Sequence, residues 1–330
     1  MSPGAWIPDI SCSPPSSESS FDEDEVNYRV KPYWPKYRSI LKHRGFHLET
    51  VRDVMDYYKF IGMPKQSERF KGLEEDTLCP DAGLPDNLFR GIRSDGNKVM
   101  IKAVHRGSRE LDIIRFLCSP AMKHQPMNHC IRESVLSTTL AQRSIFIKAV
   151  HDLIDVAEDD IAFIVMEQWS SQLVINDAPC CLQLFLAAIR QCIEHCLFMH
   201  MHRIAHLDIS LRNLLTDYKG HYAYIDFELS RKFDLSDPRV CGRRGTELPP
   251  ECGHDTFYNP YKVDVWALGI LVLRACKLAG FCVPELIEIV KPMLHEDPSQ
   301  RPSMESIMST YDHMISSLSP QRLLVLPHFC

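Results

Sequence analysis

Apolar residues recur at helical spacing in three stretches of this chain. Between residues 182 and 203 the apolar positions lie four apart, at Phe185, Ile189, Ile193 and Leu197. A shorter stretch, 110–117, repeats helical spacing, and residues 262–273 are apolar nearly all round. Such spacing predicts three helices, and the last of them should lie in the core of a large domain.

A β-hairpin is predicted between residues 214 and 225. Residues 214–216 are mostly apolar, residues 217–220 have turn chemistry, and residues 221–225 alternate as an extended strand. Because a hairpin places its start beside its end, Asn213 and Asp226 should lie close together, with Asp208 a few residues upstream. Hard oxygen ligands gathered in this way suit Mg²⁺ that carries phosphate.

The two segments that flank this hairpin carry a family resemblance. Residues 206–213, HLDISLRN, resemble the catalytic loop H-x-D-x-x-x-x-N of protein kinases, and residues 226–228, DFE, resemble a variant of their D-F-G. The resemblance implies that Asp208 accepts the proton of a substrate hydroxyl. It also implies that Asn213 and Asp226 hold Mg²⁺.

Upstream, residues 98–104 resemble the third strand of the kinase small lobe, where V-A-I-K carries a phosphate-binding lysine. Lys102 would then hold the α- and β-phosphates of ATP, and Glu110 on the following helix would pair with it. The interval between the two is short for a kinase. Taken alone, Lys102 also fits a solvated strand lysine, and Glu110 fits a surface helix glutamate.

Residues 161–169 read as a buried strand that runs into a connector, and they resemble the hinge between the two kinase lobes. Met166 would be the gatekeeper, and the backbones of Glu167 and Trp169 would meet the adenine. An ordinary core strand is equally compatible with these residues.

Further landmarks follow in kinase order. Residues 245–251 end in PPE where kinases have A-P-E, and residues 295–302 resemble their H-x-D-P-x-x-R-P. In kinases this arginine pairs with the glutamate of A-P-E, so Arg301 and Glu251 are expected to form a buried ion pair.

The resemblance covers roughly residues 80–315 and implies an α+β, bilobal fold with a small β-rich N-lobe and a larger, mainly helical C-lobe. The closer resemblance is to the divergent protein-kinase-like proteins of fungi. The predicted units are a disordered tail at 1–25, an aromatic-rich extension at 26–79 that packs on the small lobe, the N-lobe at 80–168 with an insert at about 118–150, the C-lobe at 169–315 and a tail at 316–330.

Several positions depart from the kinase pattern. No G-x-G-x-x-G precedes Lys102, which removes the loop that normally closes over the phosphates. Leu207 replaces an arginine that meets phosphorylated activation loops, and Ser210 stands where serine/threonine kinases have a lysine, with Arg212 as a substitute two residues on. Glu228 replaces the glycine of D-F-G and places a negative side chain beside Asp226.

The predicted function is transfer of the ATP γ-phosphate to a protein serine, threonine or tyrosine, with Mg²⁺. The alternative is a pseudokinase that binds nucleotide and acts as a scaffold. A small-molecule phosphotransferase of the aminoglycoside or choline type is a third possibility, which PPE and H-x-D-P-x-x-R-P disfavour.

Composition adds little that is specific. The 330 residues are 45% hydrophobic and carry a formal charge of −6, which gives no support for nucleic-acid binding. The lack of a signal pattern and of a long apolar span predicts a cytoplasmic or nuclear protein without a membrane partner. Thirteen scattered cysteines predict reduced thiols. The cysteines and histidines between residues 192 and 206 match no common zinc pattern, and the sequence leaves the oligomeric state open.

Overall fold

The computed structural model describes residues 29–63, 68–70, 72–131, 150–168, 179–217, 220–234, 237–242, 244–253 and 257–326. Its strands are β1 Phe46–Leu48, β2 Leu88–Arg93, β3 Lys98–His105, β4 Val150–Val156, β5 Ile161–Glu167, β6 Ile204–Ala205, β7 Leu214–Thr216, β8 Tyr222–Tyr224 and β9 Arg231–Lys232. Its α-helices are α1 Trp34–His43, α2 Val51–Phe60, α3 Arg109–Leu117, α4 Leu182–Met201, α5 Pro260–Ala279, α6 Pro284–Met293, α7 Met304–Ser317 and α8 Pro320–Leu323. The predicted tail at 1–25, most of the predicted insert and Trp169 lie outside the described residues.

The small lobe is an antiparallel sheet with the strand order β1-β2-β3-β5-β4. Alternate side chains of a strand point to opposite faces. In β3, Val99, Ile101 and Ala103 join the cluster that contains α1, whereas Val104 packs with α3 on the other face. Because side chains alternate between the two faces, Lys102 lies on the α3 face with Val104. Its ammonium therefore points toward the cleft.

The sheet begins earlier than the predicted lobe boundary at residue 80. Strand β1 lies inside the segment predicted as an extension, and it pairs with β2 so that Leu48 stands opposite Gly91. A Cβ on Gly91 would approach the carbonyl oxygen of His47 to 2.8 Å, so this close pairing requires glycine. A three-residue strand is too short for its apolar pattern to stand out in the sequence.

The connection between β1 and β2, residues 49–87, occupies the place of the glycine-rich loop. It contains α2, which starts at a capping box in which Thr50 and Asp53 exchange hydrogen bonds. The absence of the glycine motif from the sequence therefore corresponds to a longer, partly helical connection.

The large lobe is built on α4 and α5, and both helices predicted from apolar spacing are present there. Asn259 caps α5, and Gly280 ends it in the left-handed conformation. By length and composition α4 could also cross a membrane, contrary to the expectation of no long apolar span. Because 67% of its apolar window is buried, α4 has the environment of a core helix.

The predicted contact between Arg301 and Glu251 is confirmed, but only Arg301 is fully buried, because 14% of the Glu251 side chain is exposed. The Arg301 side chain is fully buried, and its two terminal nitrogens donate to the carboxylate oxygens of Glu251 at 2.6 and 2.8 Å. Carbonyl groups of His295, Lys262 and Glu296 accept its remaining N–H groups. The Arg301 side chain thus links the PPE segment to the start of α5 and to the loop that follows α6.

Candidate active site

A cavity of about 350 Å³ separates the two lobes, which is large enough for a nucleotide-sized ligand. One part of its lining is apolar, from Met100, Ile164, Met166, Leu215 and Ala223. Another part carries charge, from Arg29, Lys102, Glu110, Arg212 and Asp226. An apolar wall beside a group of charges matches a ligand that has a flat base and an ionised tail.

Lys102 connects the two lobes inside this cavity. Its Nζ donates to Glu110 Oε1 at 2.7 Å and to Asp226 Oδ1 at 2.8 Å. Ser108 caps α3 by accepting from the Leu111 amide, and this start fixes the position of Glu110 on the first turn. The short interval between Lys102 and Glu110 therefore does not prevent their pairing.

The pKa values of the two carboxyl groups that share the Lys102 ammonium shift in opposite directions. Burial raises the pKa of Glu110, and the Lys102 ammonium offsets this only in part. Burial also acts to raise the pKa of Asp226, but Lys102 together with Arg29 and His206 outweighs it, and the pKa of Asp226 is lowered. Burial opposes the charged form of Lys102, yet the two carboxylates raise its pKa. Lys102 thus stays cationic, and Asp226 is the readily ionised partner.

The predicted hairpin is present and brings the metal-ligand candidates to one place. Leu214 of β7 stands opposite Tyr224 of β8, and the Ile225 amide donates to the Asn213 carbonyl at 2.9 Å. Asn213 is therefore next to the residue that precedes Asp226. Among the described residues, both side-chain hydrogen bonds of Asn213 use its amide nitrogen, which leaves the amide oxygen for a cation. One carboxylate oxygen of Asp226 is likewise left by Lys102, and this donor set fits Mg²⁺.

Asp208 lies directly beside Asn213. The Asn213 side chain donates to Asp208 Oδ2 at 2.7 Å, and the Thr246 amide donates to Asp208 Oδ1 at 2.6 Å. A Cβ on Gly245 would lie 2.6 Å from the Leu207 carbonyl oxygen, so glycine lets the segment 245–251, which ends in PPE, approach the catalytic loop. The structure thus gathers Asp208, Asn213, Asp226, Lys102 and Glu110 around one cleft.

Asp264 of α5 binds the backbone at the start of the catalytic loop. Sequence reasoning missed this residue. Its carboxylate accepts from the backbone amides of His206 and Leu207 at 2.8 and 2.7 Å. Leu207 has a φ of +64°, which costs a non-glycine residue about 1–2 kcal/mol. The two bonds to Asp264 offset this strain. A carboxylate in an otherwise apolar stretch of α5 was the available signal.

Asp264 also explains the one potential metal cluster in the described part of the chain. The ligand atoms of Cys196, His200 and Asp264 lie within 4.8 Å of one another. Asp264 already accepts three hydrogen bonds, including one from His200 Nε2 at 3.0 Å if that nitrogen carries the proton. The cluster therefore has a structural use in supporting the loop.

The hinge is described only in part. β5 ends at Glu167, which pairs with Val99 of β3 and lines the cavity together with Met166. Trp169 lies outside the described residues, so its contact with adenine stays a prediction.

Two features of the cavity could not be predicted from its motifs. Five residues of the segment 84–90, here called the cover segment, line the cavity in place of a glycine-rich loop: Leu84, Pro85, Asn87, Leu88 and Arg90. In addition, Arg29 Nε lies 3.2 Å from Glu228 Oε2, so the acidic replacement in the DFE segment has a cationic partner. Arg29 precedes the helices and strands of the small lobe and belongs to no motif.

Comparison with characterised proteins agrees with this geometry. Over 251 residues the chain is 24% identical to the serine/threonine-protein kinase GRIK1 of Arabidopsis thaliana, a match that covers 67% of this chain and 61% of that protein. It is 31% identical over 105 residues to the serine/threonine-protein kinase fused of Drosophila melanogaster, covering 30% of this chain and 13% of that protein. It is 25% identical over 146 residues to the serine/threonine-protein kinase PLK4 of Drosophila grimshawi, covering 36% and 19%.

The matches span less than two thirds of the length of each of these relatives. They come from a plant and from flies, so the closer resemblance to fungal proteins stays a prediction. A family model described as the protein kinase domain matches residues 96–281, which is more than half of the chain. With its two-lobed fold and the lysine, glutamate and aspartate joined in its cleft, this chain belongs to the protein kinase family.

Proposed function

We propose that this protein is an active kinase that transfers the γ-phosphate of ATP to a serine or threonine hydroxyl of a protein substrate. The observation that carries the proposal is the double contact of Lys102 with Glu110 and Asp226, at 2.7 and 2.8 Å. Phosphoryl transfer depends mainly on positioning and charge stabilisation. The Lys102 ammonium is held by Glu110 of the small lobe and by Asp226 of the large lobe. It therefore meets both requirements in the charged part of the cavity, where the phosphates would bind.

Each residue has a distinct task in this proposal. Lys102 would bind the α- and β-phosphates, and Asn213 and Asp226 would hold Mg²⁺, which neutralises phosphate charge when bound. Asp208 would orient the substrate hydroxyl and accept its proton. The preference for serine or threonine follows the names of the relatives, and the predicted cytoplasmic or nuclear location stays a prediction.

A second function is favoured by one specific observation. Both carboxylate oxygens of Asp208 already accept hydrogen bonds, from Asn213 and from the Thr246 amide. A substrate hydroxyl has to displace or share one of these contacts. A protein in which the contacts persist would bind nucleotide without turnover and would act as a scaffold.

Phosphoryl transfer by the full chain and by Asp208→Asn decides between the two functions. With radiolabelled Mg·ATP and mixed protein substrates, we expect transfer by the wild type and a fall of about 10²–10⁴-fold in the variant, because loss of a general base has this size. Thermal stabilisation by Mg·ATP should persist in Asp208→Asn, since this residue does not line the cavity. A wild type that is stabilised by Mg·ATP but transfers no phosphate would establish the scaffold.

A further inference from the structure

The segment before α1 is fixed against the small lobe. Val30 is buried in the cluster that contains Phe89, and Trp34 Nε1 donates to the Asp86 carbonyl at 3.0 Å. Lys31 lies 3.3 Å from the carboxylate of Asp86. Residues 29–34 therefore lie along the cover segment, which lines the cavity between the lobes.

This placement brings Arg29 into the lining of the cavity, together with Lys102 and Asp226. Its Nε binds Glu228 at 3.2 Å, and Glu228 is 199 residues away in the sequence. The Arg29 side chain is 54% exposed and faces open solvent on one side. The terminal Nη groups make no hydrogen bond to another residue within the described ranges, so they remain available to a ligand.

Several carboxylates surround Arg29, so phosphate binding there requires a cation in addition to Lys102. Glu110, Asp226 and Glu228 supply three carboxylates near the phosphate end of the cavity. Glu228 and, more weakly, Asp226 and Glu110 raise the pKa of the Arg29 guanidinium. A glycine-rich loop would normally supply backbone N–H groups to the phosphates, and a guanidinium offers several N–H donors in a planar fork that matches phosphate oxygens.

We propose that Arg29 is a phosphate-binding residue of the nucleotide site, supplied by the segment before α1 in place of contacts that a glycine-rich loop would make. The inference rests on the nucleotide binding included in the proposed function, but it does not require phosphoryl transfer. Its ligand is the phosphate tail of a nucleotide and not the base.

The affinities of two ligands for the full chain test this proposal. Calorimetry measures the dissociation constants of adenosine and of the Mg²⁺ complex of adenylyl imidodiphosphate, which keeps three phosphates and resists transfer. For Arg29→Gln we expect the affinity for the triphosphate analogue to fall by about 10- to 100-fold, the size of a lost hydrogen bond between charged groups. The affinity for adenosine should not change. Lys31→Gln is the matched control, because it removes a nearby cation that pairs with Asp86 instead.

A double substitution separates phosphate binding from simple neutralisation of Glu228. We expect Arg29→Gln to weaken analogue binding to the same degree in a Glu228→Gln background. Loss of the effect in that background would overturn the proposal, as would an equal loss for adenosine or unchanged affinity for the analogue. A wild type that binds neither ligand would overturn both the proposed function and this inference, whereas binding without phosphoryl transfer would overturn only the catalytic function.

Discussion

Lys102→Met is expected to lower the rate of phosphoryl transfer by about 10²–10³-fold, the usual cost of removing one preorganised electrostatic contact from a transition state. The substitution keeps an unbranched, apolar side chain of similar length but removes the ammonium that contacts Glu110 and Asp226 together. Single-turnover measurements with Mg·ATP isolate the chemical step.

Two further variants separate this loss from a loss of folding. Lys102→Met leaves the buried Glu110 without its partner, which should lower the free energy of unfolding by about 3–5 kcal/mol. Adding Glu110→Gln removes the uncompensated charge, so stability should partly return while the rate stays low. Lys98→Met is the control, because Lys98 lies on the same strand but does not line the cavity. A transfer rate near that of the wild type in Lys102→Met would exclude the proposed role.

Arg301→Met should lower the free energy of unfolding by about 3–5 kcal/mol, because it leaves the largely buried Glu251 carboxylate without its partner. The guanidinium also donates to three carbonyl groups and lies 4.9 Å from the Trp266 ring, so these contacts are lost as well. Chemical denaturation of the two proteins measures the difference.

Arg322→Met is the matched control for this prediction. Arg322 pairs with Glu285 in the large lobe, but both side chains are more than one third exposed. Exposed ion pairs contribute about 0–1 kcal/mol, so this variant should unfold close to the wild type. Equal losses in the two arginine variants would show that burial does not determine the stability of the Arg301 pair.

The parts of the fold that sequence predicted are those that depend on local pattern. Apolar residues four apart predicted α4, and the turn residues between two short strands predicted the β7–β8 hairpin. The hairpin in turn predicted that Asn213 and Asp226 are neighbours, because its geometry is fixed by residues close in sequence. Motif order predicted the partners Glu110 and Glu251 for Lys102 and Arg301.

The parts that sequence did not predict depend on contacts between distant segments. Strand β1 is defined by its pairing with β2, across a connection that has no motif. The contacts of Arg29 with Glu228 and of Thr246 with Asp208 join loops whose path is set by the packed lobes. Apolar periodicity contains no information on such pairs. Asp264 was also missed, although a lone carboxylate in an apolar helix is a signal of a buried polar contact.

The dependence of ATP binding on Mg²⁺ tests most directly whether the gathered side chains form one nucleotide site. The measurement is calorimetric titration of ATP into the full chain, with Mg²⁺ or with EDTA, for the wild type and for Asp226→Asn. We expect Mg²⁺ to tighten ATP binding to the wild type and to have little effect on the variant, because Asp226 supplies a carboxylate ligand. A wild type that binds ATP equally well in EDTA, or does not bind it, would contradict the account.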